Sequence, residues 1–195
     1  MARTATSTPR APLSRERVVG AALALVDRDG LEALSMRRLA AQLGVEAMSL
    51  YHHVRDKADV LDGLVAAVLD EMQLPGSGPW DDRVMEVARE LRRVVRAHPN
   101  VHTLVVERAF RSPSVLAPVA VLLDALGESG LDQEQLAGAF WTLLSFVSGS
   151  LSCELADVPE GLDQLVDLPV ALFDADLDAQ FERGLRTVTR ALTTE

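Results

Sequence analysis

Apolar and polar positions fall at helical spacing along the whole chain, and glycines and prolines punctuate them. "RERVVGAALALVDRD" (15–29) reads as a first helix, with Ser14 placed to cap its start and Gly30 its end. Ser35 can cap a second, short helix over "MRRLAAQL", which Gly44 stops. A third runs from Ala47 to His53. Asp56 then caps a fourth, "KADVLDGLVAAVLDEM", whose Val60, Leu61, Leu64, Val68 and Met72 keep a 3–4 spacing. "QLPGSGPW" (73–80) is the evident linker, and it places a domain boundary there or just before it.

Longer helices follow. "DDRVMEVARELRRVVRAH" closes at Pro99, where another helix can start with proline in its first position. Pro118 either kinks the next segment or marks a late start. Asp132 and Gln135 form a capping-box pattern ahead of a long helix with two distinct faces. Gly138, Thr142, Ser145, Gly149 and Ser152 make a seam of small residues; Leu136, Phe140, Leu143, Val147 and Leu151 make one of large residues. A last helix carries Leu177, Phe181, Leu185, Val188 and Leu192. Alternating strand patterns are absent, so the fold class is all-α: a three-helix helix-turn-helix unit plus a larger helical unit. The expected division is an arm over 1–13, a first domain over 14–60 and a second over 61–195.

Composition adds bounds. Hydrophobic residues make up 48% of the 195, enough for a sizeable core. No secretory signal and no apolar run of membrane-spanning length is visible, so a cytoplasmic protein with no membrane partner is expected. Cys153 stands alone, which excludes an intrachain disulfide; it is expected as a small buried hydrophobe. The net charge of −10 argues against a nucleic-acid partner until it is divided along the chain. Residues 1–57 carry nine basic and six acidic side chains, and the remainder ten and 23. A positive start and an acidic body suit a chain that meets DNA with one end only.

The stretch "RRLAAQLGVEAMSLYHHVRDKADVL" (37–61) concentrates the candidate chemistry. Two short helices joined at a glycine make a helix-turn-helix, held to the first helix by Leu39, Ala40, Val45, Leu50 and Val54. The third helix then shows Ala47, Met48, Ser49, Tyr51, His52 and His53 outward, a surface that suits the major groove. On spacing alone, a bundle whose rings lie on a solvated surface is the competing reading.

The segment "ALALVDRDGLEALSMRRLAAQLGVEAMSLYHHVRDKADVLDGL" resembles the DNA-binding domain of the tetracycline-repressor (TetR) family of transcriptional regulators, with no gap across four helices. The second half resembles that family more loosely, in its linker, in "RAHP" and in "FERGL". The resemblance implies a regulator, not an enzyme, and DNA contacts by Arg37, Ala47, Met48, Ser49, Tyr51, His52, His53 and Lys57, with Ser35 beside them. Lys57, the only lysine, matches a phosphate contact at the fourth helix's start. It further implies a homodimer on an inverted-repeat operator, acting as a repressor released by a small molecule. Ala47 and Met48 stand where the tetracycline repressor has Gln and Pro, and neither can make a bidentate adenine contact, so the operator differs. Gln73 replaces a drug-contacting histidine, so tetracycline is not the expected effector.

Gln73, Leu104, Phe110, Phe140, Trp141 and Leu144 are candidate effector contacts, although core packing accounts for the aromatics nearly as well. Gly138, Ser145, Gly149, Ser152, Phe181, Leu185 and Val188 are candidate dimer contacts. The acidic second half favours a cationic or amphipathic effector. His98 and His102 have metal spacing, but Pro99 breaks the helix between them, so neither metal nor cofactor is expected. Asp174, Asp176 and Asp178 read as a solvated turn. Arg3 and Arg10 of the arm are candidates for the minor groove. A small helical enzyme using the two histidines, and a DNA-binding dimer that senses nothing, are the alternatives.

Overall fold

A computed structural model of the chain describes residues 12–156 and 176–192. Nine α-helices are found among them: α1 (Arg15–Asp29), α2 (Met36–Leu43), α3 (Ala47–Leu50), α4 (Lys57–Asp70), α5 (Trp80–Ala97), α6 (His102–Arg108), α7 (Leu116–Gly127), α8 (Gln133–Glu154) and α9 (Leu177–Ala191). No strand occurs among the described residues. The chain divides into two compact units after Leu64, inside α4; the segment 73–80 lies within the second. Arg3, Arg10 and Asp174 lie outside the described residues.

In the first unit the caps fall where the sequence puts them. The Ser14 hydroxyl accepts from the Arg17 N–H at 3.3 Å, and that of Ser35 from the Arg38 N–H at 3.2 Å. Gly44 sits in the left-handed region, φ 65°, so its N–H reaches the Ala41 carbonyl and the Val45 N–H reaches that of Ala40. Val18, Ala22, Leu25 and Val26 of α1 pack in the core with Leu39, Ala40, Leu43, Leu50, Val54, Val60 and Leu64. Leu43 takes the core place expected of Val45, which is only half-buried after the turn at Gly44 reverses the chain. α4 passes α1 at Gly63, where an added Cβ would lie 2.6 Å from Val19 Cγ2.

The second unit is built round α5, which packs against α7, α8 and α9. Val84, Val87, Ala88, Val94 and Val95 are buried. Arginines on α5 tie down its neighbours. Arg83 pairs with Asp124 of α7 and, at 2.8 Å, with Glu128 just beyond it. Arg89 forks onto Glu182 of α9 with two bonds of 2.8 Å. Arg92 bonds Glu154 of α8 at 2.8 Å and Asp178 of α9 at 2.7 Å, with its guanidinium 4.3 Å above the Phe181 ring. Arg96 also bonds Asp178, at 2.6 Å. The acidic turn is therefore not simply solvated: Asp178 is held below its ordinary pKa by the two arginines, and Asp176 caps α9. The Asp132–Gln135 capping box forms, and Pro118 marks a late start, falling in the first turn of α7. Cys153 is exposed, because it lies on the outer side of α8.

Two substitutions of one kind should have opposite signs. Gly63→Ala must displace Val19 and is expected to cost about 1–3 kcal/mol. Gly20→Ala, in open space mid-helix, should gain about 0.5–1 kcal/mol. Urea unfolding of the two variants reads both. Arg92→Ala removes the near partner of the Glu154 carboxylate, only 7% exposed, and leaves it Arg96 at 3.7 Å, so it should cost about 3 kcal/mol, the low end for a broken buried pair. Arg89→Ala breaks a half-exposed pair and should cost about 1 kcal/mol or less.

Candidate nucleic-acid interface and ligand cavity

Local hydrogen bonding decides which side chains near the turn are available. Arg38 reaches back to Asp29 at 2.7 Å and to the Ala33 carbonyl at 3.4 Å, so it is engaged. Its neighbour Arg37 is exposed and has no hydrogen-bond or ion-pair partner among the described residues. Leu50 anchors α3 to the core with no exposed surface, and Met48 on the other side is 70% exposed. Ala47 and Ser49 are half-buried, and Ser35 is exposed with its hydroxyl committed to the α2 cap. The helix expected to reach His53 ends at Leu50. Tyr51 and His53 donate their N–H groups three residues back, to Met48 and Leu50, in a tighter turn that closes as Val54 enters the core. Tyr51 and His52 are exposed, His53 is half-buried, and Lys57 is exposed at the first residue of α4.

Asp59 underpins this surface. Its carboxylate accepts two bonds from Arg15 of α1, at 2.9 and 3.0 Å, and one from the Arg55 N–H at 2.9 Å. The Asp56 side chain in turn accepts from the Asp59 N–H at 2.8 Å. The Arg15 guanidinium, followed by the Arg55 contacts, holds the Asp59 carboxyl far below the usual range.

The second unit holds a partly open cavity of about 320 Å³ among α5, α6, α7 and α8, lined also by Leu69 and Met72. Phe110, Phe140, Trp141 and Leu144 line it. Gln73 does not: it is exposed, and its N–H is bonded to Glu90 at 2.8 Å. Leu104 does not either; it is buried on another side of α6. The three aromatics pack edge-on or tilted, with ring centroids 5.3–6.3 Å apart, and Phe110 and Trp141 are more than half exposed. The lining holds no Asp, Glu, Lys or Arg, so the acidic surface of the second half does not extend into the cavity from which a cationic or amphipathic effector was expected. Sequence reasoning missed the α5 wall of Val84, Val87, Leu91 and Val95, although their spacing of three and four marks one helix face. His102 was missed too, because its four-residue spacing from His98 points to metal chemistry and says nothing of a cavity wall. His98 instead bonds Glu71 at 3.2 Å.

On α8 the seam of Gly138, Thr142, Ser145, Gly149 and Ser152 is exposed, while Leu143, Val147 and Leu151 are buried. A shallow groove beside it runs between α8 and α9, past Ser145, Gly149 and Cys153. Phe181 and Leu185, expected between subunits, are instead buried within their own chain, at 3% and 0% exposure. Phe181 stacks on Phe146 at 5.6 Å beneath Arg92, which fixes it inward. Val188 is half-buried. Among the described residues α8 alone is long and apolar enough to cross a membrane, and its apolar side is built into the helical unit.

A helix-turn-helix unit followed by an all-helical unit with an apolar cavity defines the class of helix-turn-helix regulators. Residues 18–64 match the bacterial regulatory proteins of the tetR family, and residues 73–160 the tetracyclin repressor-like C-terminal domain. The chain belongs to the tetR family. It is 40% identical over 144 residues to an HTH-type transcriptional regulator of Saccharopolyspora erythraea, covering 73% of this chain and 61% of that relative. It is 30% identical to the class A tetracycline repressor of Escherichia coli, over 92% of this chain and 90% of that one. Apo ActR from Streptomyces coelicolor has the same fold, with a TM-score of 0.82 and 32% identity over 94% of this chain and 96% of its own. ActR in complex with actinorhodin is similar, with a TM-score of 0.80 and 30% identity over 93% and 96%. The family is one of regulators, and the small-enzyme alternative is set aside.

Asp59→Asn is expected to lower stability at pH 7 by about 1–3 kcal/mol. A depressed folded-state pKa contributes stability that is present above the unfolded value, about 3.9, and is lost as pH falls through the folded one. The gap between wild type and variant in thermal melting should therefore start to narrow below about pH 4 and go on shrinking as the pH falls further.

Proposed function

We infer that the chain is a transcriptional repressor that binds an inverted-repeat DNA operator as a homodimer and is released by a small molecule. The observation that carries this reading is the exposed set Arg37, Met48, Tyr51, His52 and Lys57 on a turn tied to a rigid core, with an apolar cavity in the adjoining unit. Ala47, Ser49 and His53, half-buried, are assigned to the edge of the same DNA surface, and Ser35 to its border. One recognition element gives too little affinity alone, so two must be presented about 34–36 Å apart, or at multiples of that. The exposed seam of Gly138, Ser145, Gly149 and Ser152, with Val188 of α9, is the surface assigned to the second copy.

Release follows from population shift. The second half of α4 supplies Leu69 to the cavity and its first half supplies Val60 and Leu64 to the first unit's core. A ligand that binds better to a conformer with the wrong spacing drains the DNA-bound state. The relatives support this reading by name: one is a tetracycline repressor, and ActR has been seen with actinorhodin bound. The place of action is the cytoplasm, where the operator is.

Selection of bound duplexes from a random pool by the purified chain tests it. An enriched inverted repeat is expected; a folded chain that enriches none overturns the reading. On that operator, Lys57→Ala should weaken binding to every sequence and lower the salt slope by about one. Met48→Ala should alter base preference at one symmetric pair of positions. Equal losses on all sequences would remove Met48 from base reading.

A further inference from the structure

The cavity wall contains one polar group that the chain leaves unanswered. Apart from His102, Ser145 and Ser148, the side chains lining it are aliphatic, aromatic or Met. A helical serine hydroxyl can bond the carbonyl four residues back, so the two serines of α8 can satisfy themselves locally. The imidazole has no such recourse. His102 Nε2 is buried and meets no donor or acceptor among the described residues, and burial holds its pKa below the ordinary value, so the ring is neutral at pH 7. A buried ring nitrogen without a partner is costly.

Resting on the reading that this cavity holds the effector, we propose that the ligand is an uncharged, largely apolar ring compound with one hydroxyl, and that His102 Nε2 bonds that hydroxyl. Each part has its own cause. An ion would lose its hydration against walls that offer no counter-charge. A hydroxyl both donates and accepts, so it satisfies Nε2 in either tautomer of the neutral ring. The cluster of Phe110, Phe140 and Trp141 offers ring edges and faces to a flat aromatic body. A volume near 320 Å³ lies at the small end of ligand cavities, which suits a fused bicyclic or tricyclic skeleton.

Calorimetric titration of the intact chain with 2-naphthol and 2-methylnaphthalene tests the assignment, because the two probes differ by hydroxyl against methyl at nearly equal size. Wild type should prefer the naphthol by about tenfold. His102→Leu should abolish that preference while still binding methylnaphthalene, and should melt no lower than wild type, since it removes the orphan nitrogen. His102→Gln keeps a polar group at the same depth and should retain part of the preference. Equal affinity for the two probes in wild type, or a preference that survives in His102→Leu, would overturn the proposal. Binding of neither probe by a chain that still selects an inverted repeat would sink the ligand class and leave the DNA reading standing. A His102-dependent preference in a chain that selects no DNA would uphold the assignment and sink the regulator.

Discussion

A guanidinium buried to the depth of Arg92 is tolerable only where its donors have partners, and the second unit is arranged round that requirement. Glu154 at the end of α8 and Asp178 at the start of α9 supply the oxygens, and the Phe181 ring supplies a face. Two helix ends meet at one side chain. Arg83 does the same for the far end of α7, and Arg89 adds a second tie to α9. With those helices tied from one side, α5 can turn Val84, Val87 and Val95 toward a space that is not filled. An apolar cavity of this size sacrifices dispersion contacts, and the polar ties on α5 let the unit tolerate that loss.

The first unit solves a different problem: it leaves polar rings exposed on a turn that is held in place from beneath. Only one full helical turn, α3, lies between the glycine and the rings, so propensity contributes little to it. Its order comes from Leu50 and Val54 in the core, from the two hydrogen bonds closing over Gly44, and from Asp59 gripping α1. Tightening the chain after Leu50 brings Val54 into the core within one turn, and the side chains of Tyr51 and His52 are left outside.

Caps and periods were readable in the sequence because they are local. Ser14, Ser35, Gly44 and the Asp132–Gln135 box act within four residues of themselves, and each lies where its pattern says. What escaped was nonlocal. Asp178 reads as a solvated acid until α5 is laid beside it with Arg92 and Arg96. Phe181 and Leu185 have a fine interface pattern, but the pattern does not say which neighbour they face. The resemblance marked candidate DNA contacts one by one, yet it could not say that Arg38 is occupied by Asp29 and Arg37 is not. Half of the expected cavity residues are aromatic, and Gln73 lies outside the cavity because its backbone N–H is bonded to Glu90.

An apolar cavity and a selective one are different things. Burial of ring surface supplies affinity at about 25 cal/mol per Å² but rewards any greasy molecule of the right size. Discrimination needs a group whose desolvation is repaid by one ligand and not by its neighbour, and a site built to hydrogen-bond a hydroxyl rejects the analogue without it far better than a pocket rejects a missing methylene. In this cavity His102 Nε2 is a group with that property. On the proposed reading, His102 at the start of α6 is the point where ligand identity enters the conformational balance, while the valines and leucines set only how tightly any occupant is held.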